Sequence, residues 1–174
     1  MLHARLLLMA AMVAGTAACG PSAAVSPSES RAPASAVVPV RVSRLRAEPY
    51  SFTSTSSLRA PQRTVISDMT AWRTAWSRLW AGAASEPPLP AVDFAREVIV
   101  LAALGERPTG GYQIVVDSAT TASEGGVVVH VRTVSPGARC GVYHALTQPV
   151  DLARLPRVQG PVTFRDHAVV ENCP

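Results

Sequence analysis

The sequence predicts an α+β fold: a mainly antiparallel β-sheet carrying one tryptophan-rich amphipathic helix. Three patterns point to it. Met69, Trp72, Trp76, Leu79 and Trp80 recur at spacings of three and four, the period of one helical face. Val98-Ile99-Val100-Leu101 is a continuous apolar run suited to a strand buried on both faces. Val127, Val129 and Val131 alternate with His130 and Arg132, as in a strand with one dry face and one wet face.

The first residues follow the order that export machinery reads. Arg5 supplies a positive charge, Leu6 to Ala14 an apolar run, and Gly15-Thr16-Ala17-Ala18 small residues ahead of Cys19. The apolar run is shorter than the roughly 20 residues that a membrane-spanning helix requires. Residues 1–18 therefore read as a cleaved signal peptide. A cysteine after small residues looks like a bacterial lipobox, although Thr16 stands where a branched aliphatic residue is usual. Cys19 is thus the expected lipidation site, and the chain is expected in the bacterial cell envelope, lipid-anchored and facing the periplasm or the exterior.

Residues 19–39 are rich in Ala, Ser and Pro, with Pro21, Pro27, Pro33 and Pro39 interrupting them. They read as a tether from Cys19, reaching on the order of 25 Å for a flexible chain of roughly 18 residues. Residues 40–174 then form one domain of ordinary size.

Within the domain, Ser67 or Asp68 can cap the helix, and Pro87-Pro88-Leu89-Pro90 forbids its continuation beyond Gly82. The tryptophan spacing is what a helix needs to cover a sheet. Strands are expected at 97–104, 112–116 and 127–131, joined by turns at 105–111 and 120–126, an arrangement that favours an antiparallel meander. Weaker strand patterns occur at 38–45, 50–57, 63–67, 142–146, 150–153 and 162–166. These periods are compatible with an open sheet, a sandwich or a barrel.

Every basic residue other than histidine is an arginine, and the arginines are scattered apart from Arg41, Arg44 and Arg46. A nucleic-acid site needs basic residues grouped on one face with stacking aromatics nearby, so no nucleic-acid partner is expected. With Cys19 lipidated, Cys140 and Cys173 remain as an even pair, the arithmetic of a disulfide outside the cytoplasm. Two free thiols, or a reactive Cys140 beside Arg139, are the alternatives.

No catalytic constellation stands out. His130, His144 and His167 lack metal-ligand spacing, and there is no Gly-x-Ser-x-Gly elbow. A triad such as Ser135, His144 and Asp117 is selected by nothing in the pattern, and Asp93, Asp117, Asp151 and Asp166 read as backbone-capping carboxylates. The expected protein is not an enzyme and needs no metal or cofactor.

The most distinctive segment is Gly105-Glu106-Arg107-Pro108-Thr109-Gly110-Gly111-Tyr112, a turn between two strands. Pro108 fixes its own φ, the two glycines can take positive φ, and Tyr112 opens the next strand. With Ala71-Trp72, Val92-Asp93-Phe94, Ser135-Pro136-Gly137 and Ala145-Leu146-Thr147-Gln148-Pro149, it resembles the C-terminal domain of the PrcB family, across roughly residues 66–164. The resemblance implies a lipid-anchored accessory subunit with a protein partner, in that family a protease complex. It also makes Arg107, Pro108, Thr109, Gly110, Gly111 and Tyr112 the candidate partner-binding loop. The same loop is similar to one in chagasin-type protease inhibitors, from which Arg107 and Gly110 depart. A small-ligand-binding lipoprotein is the remaining alternative.

Overall fold

In a computed structural model of the chain, the described residues are 37–45, 56–122 and 125–174. The signal peptide, Cys19, most of the tether and residues 50–55 of one expected strand lie outside them.

Among the described residues, two four-stranded sheets form the domain. The first has the order β1 (Pro39–Val40), β5 (Gln113–Thr121), β6 (Val127–Pro136), β8 (Val162–Glu171). The second has the order β2 (Ser43–Arg44), β7 (Val150–Pro156), β4 (Glu97–Ala103), β3 (Gln62–Ile66). β1 and β2 belong to one continuous segment that leaves the first sheet at Val40 and joins the second at Ser43. The fold is therefore a sandwich, one of the arrangements that the strand periods left open.

Alternation along β4 shows why its sequence is apolar without a break. Ile99, Leu101 and Ala103 pack with Leu152 of β7 and with Trp72, Trp76 and Leu79 of the helix. Val98, Val100 and Ala102 face the other way and pack with Ile114 and Val116 of β5 and Val127, Val129 and Val131 of β6. The second sheet is thus the middle of three layers, and β4 has no wet face.

The helix, α1, runs from Met69 to Leu79. Asp68 caps it, its carboxylate accepting from the Ala71 amide at 2.8 Å. The Pro87–Pro90 segment does more than stop the helix. It returns across it, and its carbonyls accept the indole N–H groups of Trp76 (Pro87 O, 2.9 Å) and Trp72 (Pro90 O, 3.1 Å). Both tryptophans are completely buried, and burying an indole without an acceptor would forfeit a hydrogen bond.

Several expectations need correction. The meander holds for the β5–β6 hairpin but not for β4 and β5, which lie in different sheets. β8 pairs with β6 in parallel, because β7 carries the chain back through the opposite sheet before β8 begins. Residues 142–146 form no strand: they belong to an irregular loop whose backbone bonds to the 105–111 turn. β7 and β8 run past the expected ends, to Pro156 and Glu171.

Candidate functional site

β4 ends at Ala103, and the chain must reverse toward β5 in the other sheet. Gly105 makes the first bend with φ +76°, where a Cβ would stand 2.8 Å from the Pro61 ring and 2.9 Å from the Arg59 carbonyl. Only glycine fits there. The Glu106 amide donates to Arg59 O at 3.0 Å, and its carboxylate accepts from Gln148 Nε2, also at 3.0 Å.

Arg107 then forms an isolated antiparallel bridge with Thr147. Its amide donates to Thr147 O at 2.8 Å, and the Thr147 amide returns a bond to Arg107 O at 3.0 Å. The buried Thr147 hydroxyl reaches one step further and donates to Thr109 O at 2.9 Å. The Gly110 amide donates to Tyr143 O at 3.0 Å. Four bonds thus tie the 107–110 turn to 143–147, so the two segments behave as one platform.

The side chains of the turn act mostly inward. The Arg107 guanidinium donates to Leu104 O at 2.8 Å and lies 5.8 Å from the centre of the Tyr112 ring, a cation–π geometry. Tyr112 precedes β5 by one residue and is half-buried, so it closes the turn instead of opening the strand. Gly110 is buried beneath the Tyr143 ring: a Cβ there would lie 2.2 Å from a ring carbon. Gly111 takes φ +84° against Pro136 and Val142. The glycines therefore have steric reasons for their identity.

Among the candidate loop residues, Pro108 and Gly111 are exposed, Arg107, Thr109 and Tyr112 are half-buried, and Gly110 is buried. The platform's most exposed apolar groups come from the neighbouring loop: Tyr143 is 58% and Leu146 63% exposed. Sequence reasoning missed both by assigning 142–146 to a strand. The available signal was Ala145-Leu146-Thr147-Gln148-Pro149, whose threonine proves to be the lacing residue.

The loop is fixed at its other end as well. Cys140 and Cys173 form a disulfide with Cα atoms 5.0 Å apart, and the Gly137 amide donates to Glu171 O at 2.7 Å. Residues 137–149 are thus anchored to the end of β8 on one side and to the 105–111 turn on the other.

The residues of the conceivable triad are not linked. The Ser135 hydroxyl donates to Val169 O, Asp117 lies 3.4 Å from Arg132, and His144 sits exposed in the loop. Among the described residues, no group of three or more His, Cys, Asp or Glu is placed to hold a metal ion. The larger surface grooves, of about 530 and 320 Å³, share the lining residues Arg96, Glu97 and Arg154 and lie away from the platform's residues.

One carboxylate is unlike the rest. Asp151 lies inside β7 on the face turned toward the first sheet and is 9% exposed. Its Oδ2 accepts from the Val116 amide at 2.7 Å and stands 3.5 Å from Arg44 Nε. Burial raises the Asp151 carboxyl above the ordinary aspartate value, and the Val116 amide and the Arg44 charge offset only part of that rise. Asp166, read as a capping residue, instead lies in β8 and pairs with Arg63 of β3 at 2.7 Å.

No curated protein and no solved structure matches the chain significantly. Residues 98–156, which run from β4 through both halves of the laced platform to the end of β7, match the family model described as PrcB C-terminal, the family that the sequence motifs resemble.

Proposed function

We propose that this chain is a non-catalytic accessory protein of the cell envelope, anchored by lipid on Cys19, whose folded domain binds another protein within a protease complex. The family match over 98–156 supports the association with a protease-related complex. The observation that carries the binding role is the laced platform. Tyr143 and Leu146 stand in solvent on backbone already fixed by the Arg107–Thr147 and Gly110–Tyr143 bonds. A large apolar side chain held in place loses little conformational freedom when a partner covers it, so more of the buried area is realised as affinity.

The test uses the full mature protein crosslinked in its native membranes, with recovered partners identified by mass spectrometry. Leu146→Asp and Tyr143→Ala alter exposed side chains and spare the glycines. They should abolish recovery of a protease-complex component while the melting temperature stays within a degree or two. Unchanged recovery by both folded variants overturns the platform as the contact. Mass spectrometry of the mature N-terminus should find acyl chains on Cys19, and an unmodified, uncleaved start overturns the anchoring.

A further inference from the structure

β8 forms an edge of the first sheet, and its backbone on the side away from β6 has no strand partner among the described residues. Ten residues of open edge are a template for another strand, a hazard that folded proteins usually blunt. The register shows what the edge presents. Val127, Val129 and Val131 of β6 point into the sandwich, so His130 and Arg132 point out, and their partners on β8 are Arg165 and His167. Two arginines and two imidazoles therefore share one patch of the outer face, with Arg132 and Arg165 set diagonally across the two strands.

Only the inner half of this patch is compensated. Arg132 has Asp117 at 3.4 Å, and His130 Nε2 has the Thr120 hydroxyl at 3.2 Å. Arg165 and His167 are exposed and have no hydrogen bond or ion pair among the described residues. Glu171, four residues further along the same face, is the only other acidic side chain there among the described residues of β5, β6 and β8. Asp166 points to the inner face and is held by Arg63.

We infer that β8 is the docking edge for an extended segment of a partner protein that adds as a further strand and carries acidic residues at alternate positions. A strand added there lies about 4.8 Å from β8 and repeats its side chains about every 7 Å on one face. Carboxylates at alternate positions thus come opposite Arg165 and His167 together. A second copy of this chain fits worse, because antiparallel pairing of two β8 edges about a two-fold axis opposes residues of like parity. Glu171, the one carboxylate of that parity on β8, can then face Arg165 or His167 but not both. The inference rests on the reading of the chain as a protein-binding module, but its surface is distinct from Tyr143 and Leu146.

The probe is a fluorescent nine-residue peptide alternating Glu with Thr and Val, titrated with the full mature protein and read by anisotropy. It should bind at least tenfold more tightly than the same peptide with Lys for Glu. Arg165→Glu should weaken it about fivefold, the size expected from reversing one cross-strand pair. N-methylation in one alternating frame should abolish binding, while the other frame, whose amides face solvent, is tolerated. Equal binding of the Lys peptide, tolerance of both methylated frames or no binding of the acidic peptide each overturns strand addition at β8. Loss of the peptide signal with intact partner capture through Tyr143 and Leu146 leaves the proposed function standing.

Discussion

The Asp151 carboxylate of the middle sheet accepts the Val116 amide of the facing sheet at 2.7 Å, a polar clasp inside an otherwise apolar layer. Val116 immediately precedes the point where the β5–β6 register slips, with Asp117 as the extra residue. A bulge leaves backbone groups outside the ladder, and a buried donor must find an acceptor. Asp151→Ala removes that acceptor and should destabilise the domain by about 2 kcal/mol, the cost of an unpaired buried amide. Chemical denaturation measures it.

The same carboxylate sets a pH dependence. Its folded-state pKa lies above the unfolded value, so the native state holds the proton more tightly than the unfolded chain does. The contribution of Asp151 is therefore most favourable at acid pH. It declines as pH rises from the ordinary aspartate value through the raised one. Asp151→Asn keeps an oxygen for Val116 but does not ionise. Subtracting its stability-against-pH curve from that of the native protein should leave a fall toward higher pH across that window; a flat difference refutes the assignment.

Gly110 and the Tyr143 ring should be energetically coupled. Gly110→Ala forces the ring aside and should cost about 1 kcal/mol. In Tyr143→Ala the same change should cost much less, so a double-mutant cycle on melting stability should show a coupling of at least 0.5 kcal/mol. Gly111→Ala should cost about 1 kcal/mol irrespective of Tyr143, because its strain arises from φ +84°.

Reducing the Cys140–Cys173 bond frees the last residues of the chain from the 137–149 loop. On the chain-entropy account, closing the loop between them contributes on the order of 3–4 kcal/mol. Reduction by a dithiol should lower the melting temperature and raise amide exchange in 137–149 before it does so in β4 or β7. Uniform loss of protection would show that the bond holds the whole domain, not this loop.

Trp76→Phe keeps most of the apolar volume and removes the donor to Pro87 O. It should cost about 1–2 kcal/mol and loosen the 84–90 segment, which amide exchange would show.

Much of the fold was legible because periodicity reports burial directly. The helix, with its cap at Ser67 or Asp68, β3, β4, β6 and the β5–β6 hairpin follow from local patterns that any folded context must respect. What periodicity does not carry is which sheet a strand joins. The same alternation in β5 suits pairing with β4 or packing across from it, and a nine-residue connection allows either. The parallel pairing of β8 was hidden for a related reason: it depends on where β7 goes. At the platform, the turn was legible from its Pro and Gly residues. Its partner segment was not, since Val142-Tyr143 and Ala145-Leu146 mimic a strand until Thr147 is seen to bond with Arg107 and Thr109. Asp151 does cap a backbone amide as expected, but a carboxylate within a strand gives no local sign that the amide lies beside a bulge in the facing sheet.

The slender β1–β2 segment has a mechanical consequence. Pro39–Val40 pairs with the far end of β5, and Ser43–Arg44 crosses to β7, each over only two residues. Tension applied to the chain ahead of Pro39 would peel these short ladders one bond at a time, while β4, β6 and β8 remain loaded along longer seams. These two short ladders are the first strand pairings that such a pull meets.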